Sequence, residues 1–367
     1  MKVGIGVGSQ PPYGNPKRMV SAAKVMRLDS LWTVDHWVGF LPRSIWTPEL
    51  SYLATPQGAD AFFDWQVLMG ALAERAGNIQ LGVGVTESIR RHPVLLAQAA
   101  MTLSHITKKP PILGIGSGEA ENIVPYGLDF AAPVGVLEEA LQVMRLCFES
   151  DGTFEYSGNH FQLDRAIMDL RPKRGNEPQI WVAAHGPRML RVTGTYADGW
   201  YPALPLKASD YESKLKTIHE AARAAGRDPA AFTGGLALFF IVAPTEESAR
   251  EALTSPMGRF YALLAPDYYW QEFGMEHPLG KGFRGMIDII PQDYSRGELL
   301  SAMDQVPEEL IAEVVPWGTP EGIVAYLKDL EDAGLDHVQL SPMSAIMTKD
   351  LRRFGARAVW KIARALR

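Results

Sequence analysis

The chain is short of several things that would each have pointed to a function. It holds one cysteine, Cys147, in 367 residues, so neither a disulfide framework nor a cysteine-rich zinc site can be built. It has no surplus of positive charge. Thirty-six Lys and Arg stand against 42 Asp and Glu, a net charge of -6, which supplies no basic field for a phosphate backbone and argues against nucleic acid as the main partner. Long apolar runs are missing as well. Stretches such as Gly234 to Pro244 (GGLALFFIVAP) fall well short of the ~20 residues of a membrane-spanning helix. Met1 opens directly on a strand pattern without a leader, so a cytoplasmic protein, not integral to a membrane, is expected. HxH, HExxH and ligand-spaced aspartates are absent, and no catalytic metal is expected. The 14 methionines read as core filler. GxSxG is absent too, which leaves a hydrolase serine without support.

What the chain does have is regular alternation. Short Val/Ile/Leu-rich runs at Lys2 to Gly8, Leu31 to Val34, Ile79 to Val85, Ile112 to Gly116, Gln179 to Ala184, Gly199 to Tyr201, Leu236 to Val242 and His337 to Leu340 read as eight buried strands. Helical periods separate them: Pro16 to Arg27, Trp65 to Ala76, Pro93 to Ile106, Val134 to Glu149, Pro187 to Tyr196, Ala208 to Ala225, Thr319 to Ala333 and Lys349 to Leu366. Eight βα units define an α/β chain forming a single (β/α)8 TIM barrel. The doubly wound alternative lacks a GxGxxG that opens the first helix. Three stretches exceed the repeat, at about 37–64, 151–164 and 255–317. Barrel sites are built from loops at the C-terminal face of the strands, so the first and third are candidate pocket walls.

Polar residues gather at that face. Strand two ends in VDHW, with Asp35 and His36 side by side. Only one of them faces the interior if the strand runs on, whereas a bend aims both. Histidine titrates near ~6.5 and handles protons at cellular pH; the plainer reading is a buried histidine beside a capping aspartate. Strand four runs into GIGSGEAEN, which places Glu119 and Asn122 behind three glycines with Glu121 as a rival acid. A carboxyl beside an apolar pocket can serve as a general acid; a polar-capped turn is the competing reading. Strand three, LGVGVTESIRRHP, ends in the small groups Gly84, Val85 and Thr86, followed by Arg90 and Arg91. Strand five runs into AAHGPRML, where Ala184, His185, Gly186, Pro187 and Arg188 form a helix start suited to an anion. With metal and serine chemistry unsupported, a cofactor-dependent reaction is the economical reading, His36 and Glu119 managing protons.

VDHW, GVGVT, RHP, GIGSGEAEN and AAHGPRM, in this order and spacing, resemble the bacterial-luciferase-like superfamily, and within it the branch that uses the deazaflavin coenzyme F420. The resemblance covers essentially the whole chain. It implies an oxidoreductase that moves a hydride between F420 and a ketone or secondary alcohol, with His36 and Glu119 as catalytic residues. Asp35 would sit beside the ring, Gly84-Val85 would form the family's non-prolyl cis peptide behind it, Thr86 and Asn122 would contact the cofactor, and Ala184 to Arg188 would hold its phosphate. Arg90 or Arg91 would meet its carboxylate tail. LPRSI at Leu41, GMEHPLG at Gly274 and DIIPQ at Asp288 are similar to the branch's reductases of long-chain lipid ketones, which implies a bulky apolar small-molecule substrate. The branch's sugar-phosphate dehydrogenases differ, with polar groups after strand six where this chain has GWYPALPL, and a tryptophan where it has Phe40. Analogy also implies a homodimer. Two other readings stay open, an FMN-dependent monooxygenase and a non-catalytic barrel that binds flavin or deazaflavin.

Overall fold

The computed structural model describes residues 1–54, 58–203 and 207–367, so the last three residues of GWYPALPL and three of the first insertion lie outside it. Eight strands form the barrel: β1 (Lys2–Gly6), β2 (Ser30–Thr33), β3 (Gln80–Thr86), β4 (Ile112–Ile115), β5 (Gln179–Val182), β6 (Gly199–Trp200), β7 (Thr233–Val242) and β8 (His337–Pro342). Each pairs in parallel with the next, and β8 closes the ring on β1 with His337 opposite Lys2. Outside the ring lie α1 (Gly14–Met26), α2 (Trp65–Ala76), α3 (Pro93–Ile106), α4 (Pro133–Glu149), α5 (Pro187–Tyr196), α6 (Ala208–Ala224), α7 (Pro320–Asp332) and α8 (Lys349–Ala365). The chain is a single (β/α)8 barrel. Proline sits in the first turn of α3, α4, α5 and α7, where its missing N–H goes unnoticed. Asp64 caps α2 by accepting from the Gln66 and Val67 N–H groups.

Aromatic rings fill the interior. Trp32 stacks on Tyr201 with centroids 4.5 Å apart and packs against Trp181 at 5.6 Å. Rings this large fit because the facing strands carry glycine: a Cβ on Gly82 would lie 2.7 Å from Trp32, and one on Gly199 2.7 Å from Trp181. The same trade explains where the sequence reading missed. β7 starts at Thr233, three residues early, because Gly234-Gly235 looks like a break; yet a Cβ on Gly235 would meet the Trp200 carbonyl at 2.5 Å.

The long connections behave differently from one another. After β7, helices at Pro256–Leu263, Asp267–Glu272, Arg296–Asp304 and Glu308–Val314 build a second apolar cluster around Phe260, Trp270, Leu299 and Ile311. Ile45 and Leu50 of the first insertion join it, as does Met343 just past β8, so the first and third insertions pack as one body. The middle one is a hairpin, Thr153–Ser157 with Gln162–Ile167, three residues longer than its pattern. It lies in a helix-to-strand connection, and its tip is tied to α4: Glu139 accepts from the N–H groups of Asn159, His160 and Phe161.

Gly82→Ala or Gly199→Ala is expected to cost roughly 1–3 kcal/mol through overpacking of the enclosed indoles. Denaturant midpoints measure this; a loss below about 0.5 kcal/mol would show that the interior yields easily.

Candidate active site

β2 ends at Thr33, so Asp35 and His36 are already off the strand and their side chains part company. The Asp35 carboxylate turns inward, buried. Thr86 Oγ1 donates to it at 2.7 Å, and Arg91 forks onto it with Nη2 at 2.8 Å and Nε at 3.1 Å. Arg90 Nη2 lies 3.3 Å from the carboxylate and donates to the Asp35 carbonyl at 2.8 Å. Burial works against the charge, but the hydrogen bond from Arg91 and the charges of Arg90 and Arg91 prevail, and Asp35 is held below the ordinary carboxylate range. Arg91 also reaches Asp64, the cap of α2, at 3.0 Å, and Arg90 pairs with Glu87. The two arginines thus stand on internal carboxylates, although the buried Nη1 of Arg90 keeps no protein partner. Arg90 also covers the Trp37 ring at 4.9 Å.

His36 faces the loop after β4. Asn122 joins the two segments: its Oδ1 accepts from the Trp37 and Val38 N–H groups at 2.7 and 3.0 Å, and its Nδ2 reaches His36 Nδ1 at 3.0 Å. Glu119 Oε2 lies 3.7 Å and Glu121 Oε1 3.9 Å from the same ring nitrogen. Glu119 is 30% exposed, whereas Glu121 is wholly buried. Desolvation first, then the Glu119 charge, raises the Glu121 carboxyl far above the carboxylate range. His36, Glu119 and Glu121 each place one donor atom within 4.8 Å of the others. An ion would need Glu121 deprotonated, which its burial opposes.

These groups border a cleft of about 320 Å³ at the mouth of the barrel, within the size range of ligand sites. Asp35, Thr86, Glu119 and Asn122 stand on one side; Val85, Gly116 and Ala183 make a floor of small side chains; Leu264, Pro266 and Met286 of the third insertion close over them. The Gly84–Val85 peptide is cis, at a register shift between β3 and β4. Gly84 itself lies behind the floor, where a Cβ would meet the Tyr201 ring at 2.8 Å. His36 reaches the cleft through Glu119 and Asn122. The segment before α5 divides: His185 and Gly186 border the cleft, Ala184 is buried with its carbonyl accepting from Trp200 Nε1, and Arg188, after Pro187 at the helix start, turns to Glu138 at 2.8 Å. Desolvation, then the Lys214 charge, lowers the His185 pKa. The wall residues of the third insertion escaped the sequence reading because no period or motif marks them. The aromatics in or beside the first insertion include packing residues: Trp65 is core, Tyr52 accepts a hydrogen bond from Arg352, and Phe62 meets His36, at 5.5 Å between ring centres.

The model of the luciferase-like monooxygenase family matches residues 2–337 of this closed eight-stranded barrel. The chain belongs to this family and is an oxidoreductase. It is 40% identical over 334 residues, covering 90% of this chain and 88% of the relative, to the phthiodiolone/phenolphthiodiolone dimycocerosates ketoreductase of Mycobacterium tuberculosis. Two solved structures share the fold at 21% identity. An F420-dependent secondary alcohol dehydrogenase bound to an F420-acetone adduct superposes with a TM-score of 0.76, covering 100% of this chain and 99% of the other. The coenzyme F420-dependent tetrahydromethanopterin reductase of Methanopyrus kandleri gives 0.74, with 99% and 97% covered. No helix among the described residues is long and apolar enough to cross a membrane.

Because the Asp35 pKa is lower folded than unfolded, its contribution to stability is complete above the unfolded value of ~3.9 and is lost as pH falls through the folded value. Asp35→Asn removes the carboxylate that Arg90 and Arg91 share, leaving them Glu87 and Asp64, and is expected to cost up to about 3–5 kcal/mol at neutral pH. Denaturation followed from neutral to acid pH should show the variant losing less stability than wild type below about pH 4; parallel curves would refute the assignment.

Proposed function

We propose that the chain is a coenzyme F420-dependent reductase of a ketone on a bulky apolar substrate, the reverse reaction being oxidation of the secondary alcohol. The observation that carries this reading is a carboxyl, Glu119, at the edge of an apolar cleft whose covering wall comes from the third insertion. The 40% identity to a lipid ketoreductase, extending over 90% of the chain, supports it.

The cleft fits a flat, polar-edged ring. Val85, Gly116 and Ala183 offer a low floor, and the buried Nη1 of Arg90, on the cleft wall, lacks a protein partner. Asp35 holds the two arginines and Thr86 at the ring's edge. The run Ala184 to Arg188 would hold the coenzyme's phosphate through backbone N–H groups at the start of α5, where no side chain caps the helix. F420 supplies a hydride when reduced, and as a deazaflavin it lacks the ring nitrogen through which reduced flavins meet oxygen.

The protein's share is positioning and proton supply. Glu119 faces the cleft and delivers a proton to the oxygen of the carbonyl as that oxygen becomes an alkoxide. Behind it, His36 is fixed by Asn122, so that His36 and Glu119 present a constant geometry. Leu264, Pro266 and Met286 exclude water and pack on the apolar substituents of the substrate. Past Leu264 and Met286 the wall continues into a smaller apolar pocket lined by Phe40, Tyr261 and Met343, which suits a hydrocarbon branch better than a sugar phosphate.

Titration with F420 and FMN in parallel is expected to show F420 bound, and reduced F420 oxidised on addition of apolar ketones; FMN binding with oxygen consumption would instead identify a monooxygenase. Glu119→Gln is expected to lower ketone turnover about 10²- to 10⁴-fold with F420 affinity within a few-fold. Unchanged turnover would remove Glu119 from the chemistry.

A further inference from the structure

Glu121 has no part in the mechanism above, yet it is the most unusual carboxyl in the chain. None of its side chain is exposed, Oε2 has no hydrogen-bond partner, and Oε1 accepts one bond, from Asn122 Nδ2 at 3.2 Å. Charged groups face it from three segments: Glu119 on its own loop, His36 after β2, and Arg90 after β3. Arg90 is already committed to Asp35 and Glu87, and Glu119 brings charge of the same sign. A carboxylate there would be both desolvated and half unbonded, so the neutral acid is the form this environment accepts.

His36 Nδ1 sits between a donor and an acceptor. The Trp37 and Val38 N–H groups both point at Asn122 Oδ1, which fixes the orientation of that amide. Nδ2 is therefore the atom facing His36 Nδ1, at 3.0 Å, while the Val38 carbonyl lies 3.2 Å from the same ring nitrogen. Of the two carboxyls clustered there, Glu121 is the wholly buried one, the one whose surroundings favour the neutral acid.

We propose that Glu121 is a standing neutral acid of the site, a positioning residue that keeps its proton beside Glu119 through each turnover and so adds no negative charge next to it. This rests on the ketone-reduction reading. The balance is simple. The carbonyl carbon gains the hydride supplied by the reduced coenzyme, the Glu119 O–H bond breaks and a new O–H bond forms on the alkoxide, while the Glu121 O–H bond stays intact. A solvent proton, arriving at the exposed edge of Glu119, restores the Glu119 O–H bond.

Infrared spectroscopy of the ligand-free protein at about pH 8, far above the ordinary carboxyl range of ~4, tests the placement of the proton. A protonated-carboxyl band is expected in wild type and in Glu119→Gln, and its loss in Glu121→Gln. No band in wild type, or a band lost only in Glu119→Gln, would overturn the proposal. Glu121→Leu, which removes the acid but leaves an apolar side chain, guards against misfolding of the amide variant and should lack the band equally. In ketone reduction, Glu121→Gln, which keeps the side chain neutral, should leave the alkaline limb of kcat within about half a pH unit of wild type with KM within threefold; a limb moved about one unit or more lower would show that a Glu121 charge had been raising the Glu119 pKa, and would overturn the proposal. The infrared measurement needs neither coenzyme nor ketone. A correct band pattern without F420-linked turnover would therefore sink the functional reading and leave the protonated Glu121 standing, whereas turnover with the wrong band pattern would sink the neutral-acid proposal alone.

Discussion

The arrangement at the barrel mouth depends on one buried carboxylate. Asp35 is gripped by Arg91, Arg90 and Thr86, so the segment leaving β2 is fastened to the end of β3 and to the loop beyond it. Asn122 fastens the next two residues from the opposite side through the Trp37 and Val38 N–H groups. Between these two clamps His36 has little freedom, and it is set against Glu119 and Glu121. Neither clamp touches the reacting atoms under the proposed reading; both decide where the reacting groups stand. A buried ion pair contributes modestly to net stability when intact but costs much when half of it is removed, which is the behaviour wanted of a structural clamp under a site.

Much of this was legible in the sequence, for identifiable reasons. The helices at Trp65–Ala76, Pro93–Ile106 and Pro187–Tyr196 read correctly at both ends because each is preceded by a capping residue or opens on proline. Asp35, His36, Glu119 and Asn122 were legible as neighbours because parallel strands in a closed barrel all deliver their C-terminal ends to one rim. Other features were not. Gly234-Gly235 reads as a break until the enclosed indole of Trp181 is seen to require it. Arg188 belongs to a plausible anion motif, yet its side chain goes to Glu138, a partner 50 residues earlier that no local pattern reveals. The protonation of Glu121 follows from burial and from Glu119, and burial is a property of the fold, not of the motif.

The insertions divide the labour. The first and third share one apolar cluster, so the cover of the cleft is a packed layer with its own core. Leu264, Pro266 and Met286 reach the cleft from that layer, while the barrel supplies the floor and the acids. Under the proposed reading, chemistry rests on the barrel and substrate choice on the covering layer. The hairpin tied to α4 stands apart from this division.

The central claim is that a ketone carbon receives a hydride in the cleft between the Val85 floor and the Glu119 carboxyl. Single-turnover reduction of an apolar ketone, with reduced F420 carrying deuterium at its hydride position and solvent of ordinary water, tests it directly. The account predicts one deuterium on the carbinol carbon of the alcohol, with the hydroxyl proton drawn from solvent. Deuterium appearing in water, with none on the carbinol carbon, would contradict it.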